Sequence, residues 1–224
     1  MYARNRKRAA LSHDLYSLYS LATHALMLVI GTRNKKKGLE LEALLKPFGI
    51  PVKTLADFPE VGEVEEHGTT FAANAALKAT GYAQATGHWV LADDSGLAVD
   101  ALGGRPGVYS ARYAGPNATD EDNNRRLLKE LQGVPLERRT AHYVCHVALA
   151  DPSGAIRATA EDYCHGRILT DEIGSGGFGY DPMFEVIEYH KTFGVLDPAV
   201  KACLSHRARA MRAILPQVVQ LLGK

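Results

Sequence analysis

The sequence predicts an α/β fold. Three observations carry that prediction. An apolar run at 26–30, a capped helical stretch after Asn34 and a short apolar run at 52–55 have the order and spacing of an α/β unit. A further apolar run, Trp89 to Ala92, reads as another buried strand. Two alternating stretches, 139–150 and 155–169, flank a turn and read as a long hairpin.

Each element has a local cause. Leu26 to Ile30 is continuously apolar and stops at Gly31, as a strand covered on both faces does. Asn34 can cap the next helix, whose apolar positions include Leu39, Leu41, Leu44 and Leu45 and whose stop is Gly49. Val52 to Leu55 is the second strand. Residues 56–68 read as a loop carrying Glu60, Glu63, Glu65 and Glu66. Thr69 and Thr70 are caps for an alanine-rich helix running to Thr86. The strand Trp89 to Ala92 is expected to end in Asp93-Asp94-Ser95-Gly96, and Gly103, Gly104, Pro106 and Gly107 mark a loop. Thr119 with Asp122 forms a capping box for a helix through Leu131. Along 139–150, Tyr143, Cys145, Val147 and Leu149 share one face, with His142, Val144, His146 and Ala148 on the other. A glycine-rich loop spans Gly174 to Pro182, and a helix from Ser205 to Leu222 closes the chain.

Composition excludes several classes of function. The 224 residues, 46% hydrophobic and 23% charged, can bury a core and are not those of a disordered chain. The longest purely apolar run, Ala25 to Ile30, is far short of the ~20 residues of a membrane span. Arg4, Arg6, Lys7 and Arg8 belong to 26 basic residues set against 25 acidic ones, so the body that follows is slightly acidic. It offers no general positive field for nucleic acid. Three cysteines, with no CxxC pair, point to a reducing, cytoplasmic setting. The chain therefore reads as a domain over 26–224 behind a flexible extension over 1–25. That extension is Arg- and Ser-rich, with Leu11, Leu15, Leu18 and Ala22 at helical spacing, like an organelle transit segment. The simpler reading places the true start at Met27 and makes the extension dispensable.

Four constellations could carry chemistry. Thr32-Arg33-Asn34-Lys35-Lys36-Lys37 lies between a strand and a helix start, where amides and lysines suit a phosphate; it is not a Walker loop. Glu65-Glu66 and Asp93-Asp94 offer hard oxygens of the kind Mg²⁺ prefers, although a solvated acidic loop also accounts for the glutamates. Gly176 to Pro182 combines glycines with Phe178 and Tyr180, which can stack on a base. Lys201 with Ser205-His206-Arg207 adds donors for phosphate or base edges. A zinc reading of His142, Cys145, His146, Cys164 and His165 conflicts with strand alternation, which separates His142 and His146 from Cys145. No GxSxG supports a serine nucleophile.

In this order the segments resemble the inosine triphosphate pyrophosphatase family. The resemblance covers residues 27–222. It is carried by Thr32-Arg33-Asn34 with Lys37, by Glu66-His67-Gly68-Thr69-Thr70-Phe71 with Asn74-Ala75, and by Phe178-Gly179-Tyr180-Asp181-Pro182 with Ser205-His206-Arg207. Its most specific stretch runs from Ala92-Asp93-Asp94-Ser95-Gly96-Leu97 to Pro106-Gly107-Val108-Tyr109-Ser110-Ala111-Arg112-Tyr113. The resemblance implies an elongated mixed β-sheet with flanking helices, two lobes around a central cleft, and a homodimer. It implies Mg²⁺-dependent hydrolysis of ITP, dITP and XTP to the monophosphate and pyrophosphate, which clears deaminated purines from the nucleotide pool.

Carried over by position, Thr32, Arg33, Asn34, Lys35, Lys36 and Lys37 would bind the phosphates. Glu66 and Asp94 would hold Mg²⁺, with Asp94 also the proton acceptor. Ser95 would touch substrate. Phe178, Gly179, Tyr180 and Asp181 would embrace the base, and Lys201, His206 and Arg207 would complete the contacts. A donor aimed at the 6-oxo group would accept hypoxanthine and leave adenine mismatched, and Arg207 is the candidate for it.

The sequence departs from the family at three positions. Arg33 stands where the family has glycine, with backbone strain as the expectation. Ala73 replaces a glutamate, and His190 replaces a glycine. Arg33 and Ala73 keep open a catalytically impaired nucleotide-binding protein. A Maf-like pyrophosphatase of other nucleotides is the related alternative.

Overall fold

The computed structural model describes residues 27–222. The extension over 1–25 and the first residue of the expected strand, Leu26, lie outside the described residues. Eight strands form one mixed sheet: β1 Leu28–Ile30, β2 Val52–Thr54, β3 Trp89–Val99, β4 Arg105–Pro106, β5 Thr140–Ala150, β6 Ile156–Ile168, β7 Phe184–Val186 and β8 Lys191–Thr192. Their order is β2-β1-β3-β5-β6-β7-β8, with β4 beside the far end of β3. β1 runs parallel to β2 and β3, and the remaining pairs are antiparallel. The helices are α1 Lys35–Leu45, α2 Phe71–Thr86, α3 Asp120–Glu130, α4 Pro198–Leu204 and α5 His206–Leu222.

Three apolar clusters divide the molecule into lobes. In the first lobe the sheet is covered on both faces. Leu28, Ile30, Leu91 and Val147 pack with Leu41 and Leu45 of α1 and Met211 and Ile214 of α5. Val29, Val90, Ala92 and Ala148 pack against Ala75, Ala79 and Ala83 of α2. A fully buried leucine such as Leu91 contributes about 1.5–3 kcal/mol by leaving water. The second lobe gathers Leu97, Val99 and Tyr143 with Leu127 of α3 and with Phe184 and Phe193. β3 and β5 cross from one lobe to the other.

The expected helices around 35–45, 71–86 and 120–130 form with the caps read from sequence: Asn34, Thr70 and the Thr119–Asp122 box. One expectation is corrected. Asp93 and Asp94 do not end a strand; they lie inside β3, which continues to Val99. Apolar residues stop at Ala92, but β5 supplies backbone partners from Val90 through Val99. β1 pairs with β3 only as far as Leu91, and β4 only from Ala98. The intervening edge of β3 has no strand beside it among the described residues. Ser95 and Gly96 of this stretch line the cavity described below.

Candidate active site

The first wall is the loop from β1 into α1. Gly31 leaves no room for a side chain: a Cβ there would lie 2.7 Å from Val90. Asn34 accepts the amides of Lys36 and Lys37 at 3.0 and 3.2 Å, and Thr32 accepts that of Asn34 at 3.2 Å. Lys35, Lys36 and Lys37 occupy a first turn without an acid, against the helix dipole. Lys37 reaches Asp93 at 3.6 Å, whereas Lys36 crosses to Asp120 at 3.9 Å. Lys35 is exposed. Arg33 differs from expectation. His190 is the one non-glycine with positive φ among the described residues, so Arg33 is not strained in that way. Its guanidinium donates to the Val61 carbonyl.

The floor is β3, whose alternation sends the two aspartates to opposite faces. Asp93 joins Ser95 on the α5 face. There its Oδ2 accepts from Arg207 Nε at 3.2 Å. Burial opposes its ionisation, but Lys37 and Arg207 outweigh burial and hold the carboxyl below the ordinary aspartate range. Asp93 Oδ1 is buried with no protein partner. Asp94 points to α2, where Asn74 donates to Oδ2 at 3.0 Å and Lys78 lies 3.4 Å from Oδ1. Burial pushes the Asp94 carboxyl up, and Lys78 and Lys37 only partly oppose it.

Lys78 also pairs with Glu66 at 3.0 Å. Burial disfavours its charge, yet Asp94, Asp93 and Glu66 together raise its pKa, so the ammonium persists. Glu66 and Asp94 thus flank one cation and present only hard oxygens. That donor set fits a divalent ion such as Mg²⁺ completed by substrate phosphates. Among the described residues, no cage of three or more His, Cys, Asp or Glu is ready-made. The zinc reading is likewise excluded by the register. His142 lies opposite His165 and Tyr143 opposite Cys164, so the histidines and cysteines point to different faces.

The far wall is the loop 176–181. Gly177 has φ +74°, and a Cβ there would fall 2.0 Å from Asp181 Oδ2. Glycine therefore lets Asp181 accept the Phe178 amide at 2.9 Å and the Lys201 ammonium at 2.6 Å. Asp181 is buried, which raises its pKa against the pull of Lys201. The Tyr180 hydroxyl donates to the Ser110 carbonyl at 2.9 Å. Three cations approach the Phe178 ring: Lys201 at 4.8 Å, Lys36 at 5.5 Å and Arg207 at 5.9 Å from its centroid. His206 stacks on Tyr143 with centroids 4.7 Å apart. Burial, aided by Arg207, depresses the His206 pKa well below its ordinary value, so the ring is neutral. Its Nδ1 has no protein partner.

One cavity joins these walls. Asn34, Lys37, Ser95, Phe178, His206 and Arg207 all line it. Arg207 donates to Asp93, to Ser95 Oγ at 2.8 Å and to Glu40. Glu40 in turn lies 3.3 Å from Lys201. Sequence reasoning missed Lys78, Asn74 and Glu40 as site residues. Lys78 did leave a signal: it is the one charged residue of α2 and follows Asn74 by one turn. Glu40 left none, because its partners lie far away in sequence.

The remaining departures are placed as well. His190 adopts φ +48°, a left-handed backbone that favours glycine. Ala73 leaves the first turn of α2 without an acid.

Comparison with known proteins follows the same outline. The model of the Ham1 family matches residues 28–217. The dITP/XTP pyrophosphatase of Rhodopirellula baltica is 52% identical over 195 residues, covering 87% of this chain and 94% of that one. The dITP/XTP pyrophosphatase of Desulforamulus reducens is 53% identical over 185 residues, 83% of this chain and 92% of its own. The solved structure of a HAM1 protein from Coxiella burnetii superposes with a TM-score of 0.80 at 36% identity, covering 87% of this chain and 99% of that one.

Proposed function

This chain belongs to the Ham1 family, and from that premise we propose that its cleft hydrolyses ITP, dITP and XTP to the monophosphate and pyrophosphate. The observation that carries the reading is one cavity in which Lys37, Ser95 and Arg207 meet Phe178 and His206, with the Asp94–Lys78 pair adjoining it next to Ser95 on β3. The activity would clear deaminated purines from the nucleotide pool.

The residues divide the work. The start of α1, whose Lys36 and Lys37 amides are already taken by Asn34, holds the phosphates through the Lys37 ammonium. Asp94 takes a proton from water as its oxygen bonds to the α-phosphorus. The bond from that phosphorus to the bridging oxygen breaks, and pyrophosphate leaves. Lys37, Lys78, Lys201 and Arg207 already have carboxylate partners, so an incoming triphosphate adds unmatched negative charge. Glu66 and Asp94 are the residues that would hold Mg²⁺, which when bound neutralises phosphate charge. Phe178 stacks on the base, while neutral His206 and the unspent N–H groups of Arg207 face its edge.

We place this activity in residues 26–224, in a homodimer in a reducing cytoplasm, without a nucleic-acid partner. Three free thiols support the compartment, and the family resemblance supports the dimer. No helix among the described residues is long and apolar enough to cross a membrane. The test is pyrophosphate release from ITP, XTP, GTP and ATP, with Mg²⁺ and with EDTA, for wild type and Asp94→Asn. Mg²⁺-dependent release that favours ITP and XTP and is lost in the variant is expected. No release from any of the four overturns the reading.

A further inference from the structure

We propose that Asp120 is a positioning residue for base selection, because it anchors the loop that carries Phe178 to α3. Its Oδ2 accepts the N–H of Gly179 at 2.8 Å. One turn further along α3, buried Asn124 donates Nδ2 to the Gly179 carbonyl at 3.2 Å. α3 therefore grips both backbone polar groups of a single residue, the one that follows Phe178. On the other side, Asp181 accepts the Phe178 amide itself.

The grip matters because of the loop's composition. Gly174, Gly177 and Gly179 all have positive φ, and glycines resist displacement weakly. Fixing the Gly179 peptide fixes the backbone from which the Phe178 ring projects. The same Asp120 oxygen lies 3.9 Å from Lys36, whose ammonium is 5.5 Å from the ring centroid. Asp120 thus ties the base loop to the start of α1. It touches neither Asp94 nor Lys78, so its influence falls on where the base sits rather than on the bond that breaks. This inference rests on the proposed action on 6-oxopurine nucleotides.

The test compares kcat and KM for pyrophosphate release from ITP and ATP in wild type, Asp120→Ala, Asp120→Asn and Lys36→Met. Loss of a charge-assisted hydrogen bond predicts a KM for ITP raised about tenfold in Asp120→Ala. The ITP-over-ATP ratio of kcat/KM falls by a similar factor, while kcat stays within about threefold. Asp120→Asn retains an acceptor oxygen and recovers most of both. Unchanged KM and ratio in Asp120→Ala overturn the proposal. So does an Asp120→Asn as impaired as Asp120→Ala and matched by Lys36→Met, which would assign the effect to the ion pair. A second arm needs no substrate: the Gly179 amide exchanges its hydrogen faster in Asp120→Ala, and an unchanged rate overturns the anchor. A wild type that releases no pyrophosphate from ITP defeats the functional reading, and the exchange arm still decides the anchor.

Discussion

Lys78 Nζ stands 3.4 Å from Asp94 Oδ1, so the carboxylate proposed to accept the proton has its counterion supplied by α2. Replacing Lys78 with methionine removes a positive charge from the phosphate end of the cleft. Activity should fall about 10²-fold or more, as when a preorganised transition-state donor is lost. The pH–rate profile adds a sign. Lys78 lowers the Asp94 pKa, while burial and Glu66 raise it. In Lys78→Met the acid limb therefore moves to higher pH.

Asp94→Asn should lose activity and gain stability. Burial pushes the folded-state pKa of Asp94 above its ordinary value, so at neutral pH its charge opposes folding. A neutral amide removes that cost and can still pair with Asn74, while Lys78 keeps Glu66. The melting temperature should rise, at about 2–4 °C per kcal/mol for a chain of this size. A lower melting temperature would show that the ion pair outweighs the burial.

Asp93 is the opposite case. Lys37 and Arg207 hold its pKa below the unfolded value, so its contribution is complete above that value and is lost only as the pH falls through the folded one. Asp93→Asn leaves Arg207 buried with less compensation and should cost about 3–5 kcal/mol in urea unfolding. The difference between wild type and variant should shrink in strongly acidic buffer.

His190→Gly should stabilise the protein without affecting turnover. The His190 backbone is left-handed, its side chain is largely exposed, and its carboxylate neighbour Glu185 is 4.0 Å away. Relief of that conformation is worth about 1–2 kcal/mol. Thermal melting and kcat/KM for ITP, measured together, check both halves.

Much of this molecule was legible because the signals are local. Caps at Asn34, Thr70 and Thr119 are short-range chemistry and fall where the pattern puts them. The hairpin of β5 and β6 is visible in alternation alone. β7 and β8 were not legible: at three and two residues they are too short for periodicity. α4 was missed for a similar reason, having seven residues and none fully buried. β3 runs beyond its apolar pattern because buried polar residues end such a pattern without ending a strand. In the site, glycine and aspartate motifs could be found in the sequence. The pairing of Glu40 with Arg207, 167 residues apart, depends on the tertiary fold.

β3 and β5 stay in register from Val90 to Val99, straight across the boundary between the lobes. That ladder constrains how the enzyme can move. A lobe that tilts on the other must bend this ribbon beneath Asp93 and Asp94 rather than turn about a loop, so the two halves of the cleft share one spring for a floor.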